Sequence, residues 1–184
     1  SRAPKTLCCH SWTSMTAIDS SSAMAIAIEP NAWRAVELRI WHVQAGHVHL
    51  YLLDSDVAPN TGEDRGITYR LYGGDRAIRL EQEMVLGIGG VRALAALGIT
   101  PAVWHINEGH AAFVVLQRIR DLCEAGANFE SALAEVRSTT VFTTHTPVAA
   151  GHDAFPFHLV ETHLAGAWGD LGGYREQFLA LGHH

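Results

Sequence analysis

Two stretches carry residue types that can do chemistry at short spacing, "VWHINEGH" (103–110) and "TTVFTTHTPVAAGHDAF" (139–155). In the second, a β-branched run ends in Thr144-His145-Thr146-Pro147, and a small-residue loop with His152 and Asp153 follows. A neutral imidazole between threonine hydroxyls offers donors and acceptors in a compact group, which suits the hydroxyls of a sugar. Pro147 blocks immediate helix entry, and the small residues beyond it let a ligand approach. His152 and Asp153 either join the same wall or, for Asp153, brace the loop. In the first stretch His105 falls in a predicted strand, while Asn107, Glu108 and His110 form the strand-to-helix turn. Parallel α/β proteins place ligands there, at the carboxyl ends of strands beside helix N-terminal amides. Three readings fit His105, Glu108 and His110: a polar wall or turn brace, a satisfied structural histidine, and a metal site. The spacing is not HExxH, whose imidazoles project from one helix face.

These turns need a sheet and helices to hold them. "PAVWHIN" (101–107) and "TVFTTHT" (140–146) read as short buried strands. Between them lie an amphipathic helix closed by Gly126 and a shorter helix with Asn128 as N-cap. "FPFHLVETHLAGAW" reads as a further helix. Strand, helix, helix, strand is a crossover that makes a parallel sheet. Upstream, "WRAVELRIWHVQ" alternates at period two, with Val36, Leu38, Ile40 and His42 on one face and Trp41 and Val43 on the other. Ala45-Gly46 then turns the chain into a second strand, His47 to about Leu53, which predicts a hairpin. Residues 58–68 form an exposed Pro-, Asn- and Gly-rich loop. A long helix follows from an N-cap at Asp75 to a stop at Gly98, apolar nearly all round in its second half and therefore buried. Gly87, Gly89 and Gly90 inside it cost roughly 1 kcal/mol each against Ala, and letting another backbone come close is their expected use. Glu81 and Glu83 need only be solvated or salt-bridged. Residues 1–22 show no sustained periodicity and read as an unpatterned tail, leaving 23–184 as the domain.

Several functions are excluded by type and spacing. A formal net charge of −6 with thirteen Lys and Arg gives no electrostatic footprint for nucleic acid or an anionic membrane surface. No apolar run approaches the ~20 residues of a membrane span. "GIGGVR" lacks the third glycine of a dinucleotide fingerprint and lies inside a helix. No G-x-S-x-G elbow occurs, and Cys123 falls mid-helix, so no poised nucleophile can be named. Cys8, Cys9 and Cys123 form no CxxC or even framework, which fits a reduced, cytoplasmic setting.

The longer motifs are specific. "LYLLDSDVAPNTGEDRGITYRLYGGDRAIRLEQEMVLGIGGVRALAALGI", "VWHINEGHAAFVVLQRIR" and "VFTTHTPVAAGHDAFP" resemble α-glucan (glycogen, starch, maltodextrin) phosphorylases of the bacterial and archaeal branch. The resemblance runs from about residue 35 to the C-terminal "EQFLALG". It implies part of the N-terminal one of two Rossmann-like domains facing across a cleft, the glycosyltransferase-B arrangement. It also implies that inorganic phosphate cleaves the terminal α-1,4-glucosyl bond of a glucan to release glucose 1-phosphate with retention. Pyridoxal phosphate, as a Schiff base on a lysine of the C-terminal domain, takes part through its phosphate. Residue by residue, His145 matches the family histidine at the cleavage subsite, with Thr144 and Thr146 beside it. Asn107, Glu108 and His110 match the turn that walls and braces that subsite. The family's glycine-rich phosphate loop has no counterpart in residues 1–34, and the single lysine is Lys5. The expectation is therefore that these residues hold an incomplete active site, inactive without the C-terminal domain, with homo-oligomerisation possible. The alternatives are a stand-alone carbohydrate-binding or interaction module and a metal-dependent hydrolase built on scattered histidines.

Overall fold

The computed structural model describes residues 14–17, 28–31, 34–71, 74–147, 153–165 and 173–182. Strands β4 (Arg39–Ala45) and β5 (Val48–Asp54) form the expected antiparallel hairpin, with Ala45 opposite Val48. Gly46, the first central residue of its turn, sits at φ +62°, the position where a tight hairpin turn of the II′ kind takes glycine. β1 (Ser14–Ala17) adds antiparallel to β4. This strand lies inside the stretch that lacked a periodic pattern; pairing along an edge uses backbone hydrogen bonds and needs no side-chain alternation.

The run from Arg34 to Ala45 is not one strand. β3 (Arg34–Val36) pairs with β2 (Ile28–Asn31) in a separate two-stranded sheet. The break falls at Glu37-Leu38, where Asn60 replaces a strand partner. Its Oδ1 accepts from the Glu37 N–H at 2.8 Å, and its Nδ2 donates to the Glu37 and Ser55 carbonyls, each at 2.8 Å. One amide side chain thus satisfies the backbone that the ladder leaves unpaired.

The long helix begins where expected. Asp75 accepts from the N–H groups of Ala77 and Ile78 and caps α1 (Arg76–Met84). A π-helical turn at Val85–Gly89 then interrupts it before α2 (Gly90–Ala96), and Gly98 closes it at φ +68°. The interruption sits against α3 (Phe113–Glu124). A Cβ on Gly87 would lie 2.6 Å from Phe113 Cβ and 2.8 Å from both Phe113 C and Val114 N. Close approach is therefore the use of Gly87, whereas a Cβ on Gly90 would meet nothing within 4 Å.

β6 (Trp104–Asn107) and β7 (Thr140–Thr143) pair in parallel, joined by α3 and α4 (Phe129–Ser138). The crossover is as expected, and Asn128 caps α4 through the Ser131 N–H at 2.9 Å. The strands are less buried than expected. His105 and Asn107 are exposed, as are Val141 at 50% and Phe142 at 54%. Two paired strands leave two open edges, and only Ile106 finds a full apolar seat, against Val91 and Val114. α5 (Phe157–Leu164) and α6 (Arg175–Ala180) follow. The main core joins the β3–β4 face (Val36, Leu38, Ile40) to α1 (Leu80, Met84) and α5 (Leu164). A second cluster seals α3 to α4 through Ile119, Phe129, Ala132 and Val136. No helix among the described residues is long and apolar enough to cross a membrane.

Candidate functional site

The site grows from the C-terminal ends of β6 and β7. Glu108 follows β6 directly, its N–H donating to the Thr143 carbonyl at 2.9 Å and so continuing the parallel ladder by one rung. Its backbone then turns sharply, at φ 59° and ψ −174°, a region that essentially only glycine occupies without strain. Among the described residues Glu108 is the one non-glycine at positive φ. The observation points to a side chain that must face one particular way.

That side chain is buried, 2% exposed, and it faces β7. Glu108 Oε1 accepts the backbone N–H groups of His145 and Thr146, each at 2.8 Å, and lies 2.7 Å from His145 Nδ1. The His145 N–H bond chiefly, together with the Thr146 and Thr144 donors, outweighs burial and lowers the Glu108 pKa to about 2. The carboxylate is therefore charged at neutral pH and fixes the tautomer of His145 with the proton on Nδ1. The imidazole is 62% exposed, and its Nε2 remains as an acceptor for a ligand. Among the described residues, Glu108 Oε2 is buried without a hydrogen-bond partner.

A second polar cluster adjoins the first. His110, two residues beyond Glu108, meets Arg79 and Glu83 of α1 and Asp153 ahead of α5. Arg79 Nη2 donates to Asp153 Oδ2 at 2.5 Å and to Glu83 Oε1 at 3.3 Å, and lies 3.2 Å from His110 Nδ1. Burial first, then the hydrogen bond and charge of Asp153, raise the Glu83 pKa to about 8 against the pull of Arg79. Burial acts to raise the Asp153 carboxyl too, but Arg79 and Glu83 bring it below its ordinary value. Glu83 and Asp153 thus share one guanidinium, with Glu83 pushed toward its protonated form and Asp153 toward its ionised one. Ligating atoms of Glu83, His110 and Asp153 lie within 4.8 Å of one another, and the Arg79 guanidinium already supplies a positive charge there.

The six residues singled out by sequence thus divide. Glu108, His145 and Thr146 are in direct contact, and Thr144 contributes to the same carboxylate. His110 joins the neighbouring cluster. Asn107 ends β6 exposed, beside Thr143 in register. His105 pairs with the Thr143 hydroxyl at 2.6 Å on the sheet surface. His152 lies outside the described residues. Arg79 and Glu83 were not expected. Glu83 is buried, 4% exposed, and takes the paired rather than the solvated of the two states expected for it, 3.3 Å from Arg79; the signal available was its i, i+4 spacing from Arg79.

No protein-family model matches the chain. It is 52% identical over 149 residues to the maltodextrin phosphorylase of Thermococcus litoralis, covering 81% of this chain and 18% of that protein. It is 49% identical over 151 residues to the glycogen phosphorylase of Mycobacterium tuberculosis, covering 79% and 17%. The glycogen phosphorylase of Aquifex aeolicus is 43% identical over 122 residues, covering 66% and 18%. The chain therefore spans less than a fifth of the length of these relatives.

Proposed function

Since this chain belongs, as a segment, to the maltodextrin and glycogen phosphorylase family, we propose that it forms one wall of the glucosyl-binding cleft of an α-glucan phosphorylase. The observation that carries the reading is the Glu108–His145 pair. An ionised, buried carboxylate holds an exposed imidazole by Nδ1 and two adjoining amides, at the carboxyl end of a parallel strand pair. Such a ring presents Nε2 to a sugar hydroxyl in one orientation, so the terminal glucose is bound rather than chemically attacked by it. Thr144 and Thr146 add hydroxyls beside it, and Asn107, Glu108 and His110 serve as wall and brace.

In the reaction, a phosphate oxygen bonds to glucosyl C1 as the bond from C1 to the glycosidic oxygen breaks. That oxygen leaves with the proton that the hydrogen phosphate gives up, and glucose 1-phosphate is released with retention. The residues here contribute orientation, which lets the reacting atoms meet without paying for alignment at each turnover. Pyridoxal phosphate, which the resemblance implies, does not fit the described residues. The one lysine of the sequence is Lys5, outside them, so none offers an amine for a Schiff base, and no step is routed through the cofactor here. The same reading makes the β6–β7 unit part of a Rossmann-like domain in a glycosyltransferase-B arrangement, with the cofactor held by a C-terminal domain across the cleft. The exposed Val103, Val141 and Phe142 support a sheet packed against more protein. A cytoplasmic setting, α-glucan and phosphate as substrates and self-association belong to this proposal.

The test is phosphate-dependent release of glucose 1-phosphate from maltodextrin by the complete polypeptide, with H145A alongside. Release that H145A lowers by about a hundredfold, the cost of a misplaced substrate, supports the assignment. No release from the unaltered protein overturns it, and glucan binding without release leaves the carbohydrate-binding module.

A further inference from the structure

The connection from β7 to α5 is held at both of its described ends. At the first, Glu108 takes the N–H groups of His145 and Thr146. At the second, Asp153 is bound by Arg79, whose Nη2 also reaches Glu83 and His110. One short turn, Glu108 to His110, therefore meets both ends. Gln82 backs the arrangement, accepting from Arg79 Nη1 at 3.1 Å and donating to the carbonyls of Ile67 and Arg70 at 2.9 and 2.7 Å. Arg79 is thereby fixed on a helix rather than on a loop, which makes it a rigid anchor.

We propose that Arg79 and Glu83 are positioning residues: by clamping Asp153 to α1 they fix the far end of the connection that carries His145, and so set how its imidazole is presented to the sugar. The inference rests on the reading of His145 as a glucosyl contact. Seven residues lie between His145 and Asp153 in the sequence, and tying both ends of so short a run limits how far one end can move independently of the other. An anchor released at Asp153 loosens His145 even with Glu108 in place. The groups facing Glu83 are Arg79 from its own helix, His110 from the turn and Asp153 from the connection. Glu83, pushed up to about 8, keeps its proton at neutral pH beside ionised Asp153, and the two meet through the Arg79 guanidinium. Above about pH 8 two carboxylates would share one guanidinium, and the clamp weakens.

The test is amide hydrogen exchange on the complete polypeptide, following peptides that contain 143–147 and 153–157, in the unaltered protein, E83A, E83Q and D153N. Protection at both ends falls in E83A and D153N by about tenfold, the loss of one charge-assisted hydrogen bond, while α3 keeps its protection. E83Q keeps the neutral form of the side chain and restores protection, and it removes the fall in protection that the unaltered protein shows as pH rises through about 8. The kcat/KM for phosphorolysis follows the same order. Unchanged protection at 143–147 in E83A and in the near-isosteric D153N overturns the clamp. Loss of protection in a protein that performs no phosphorolysis overturns the function instead and leaves the clamp standing.

Discussion

Glu83 and Glu108 are both buried, 4% and 2% exposed; Glu108 holds one end of the connection and Glu83 shares Arg79 with the other, yet their acidities move in opposite directions. Glu108 meets three N–H groups and is pulled down to about 2. Glu83 meets another carboxylate and a guanidinium shared with it, and is pushed up to about 8. Burial penalises the charged form in both, so the donors around the carboxylate decide the outcome. One acid therefore works as a fixed negative charge and the other as a neutral group.

The largest effect expected breaks the pair at the charged member. E108A removes the acceptor for His145 N, Thr146 N and His145 Nδ1 together, and kcat/KM for phosphorolysis by the complete polypeptide should fall by about a hundredfold. E83Q, which preserves that neutral form, should cost far less at pH 7. Equal losses in the two would mean that both glutamates act through their charge.

A substitution outside both clusters should move them together. In G87A the new Cβ meets Phe113 and the Val114 backbone at under 3 Å, at a contact that joins the π turn of the α1–α2 helix to the start of α3. Overpacking there costs about 1–3 kcal/mol, measurable by urea denaturation. Because α1 carries Arg79 and Glu83, and α3 follows the Glu108 turn, exchange protection should drop at both ends of the connection.

Acidity distinguishes the two glutamates again in stability. Glu83 is raised from an ordinary 4.5, so its contribution is fully present below that value and is lost as pH rises through about 8. Glu108 is lowered from the same 4.5, so its contribution is present above that value and is lost as pH falls through about 2. Denaturation of E83Q should show a flatter decline on the alkaline side, and E108Q a flatter decline on the acid side. A reversed pattern would exchange the assigned protonation states.

How much of this was legible in the sequence depended on range. Asp75, Gly98, Gly126 and Asn128 act on backbone within a few residues of themselves, and the helix ends they mark are where spacing put them. The parallel crossover and the hairpin followed from periodicity. The β3–β4 break did not, because it depends on Asn60, over twenty residues away. Of the site, the two strand-end turns were visible as motifs, and that Glu108 touches His145 follows from adjacent parallel strands. The Arg79–Asp153 bond was only half legible: Asp153 stood out as a wall residue or loop brace, but its partner lies 74 positions away and nothing local marks Arg79. Glu83 could have been suspected, because it follows Arg79 by four residues on one face of a helix.

The smallest effects expected separate a helix that carries the clamp from one that does not. D75A and N128A each remove an N-cap, worth about 1 kcal/mol, from α1 and α4 respectively. Asp75 accepts from Ala77 and Ile78, and its carbonyl takes the Arg79 N–H at 3.1 Å. Fraying of this first turn therefore reaches Arg79 itself. α4 bears none of the site residues, and its cap reaches Ser131 through the side chain and Ala132 through the carbonyl. Urea midpoints should fall similarly in the two variants, while exchange at 153–157 quickens in D75A alone. If N128A quickened it as much, the connection would be reporting the stability of the whole domain rather than its bond to α1.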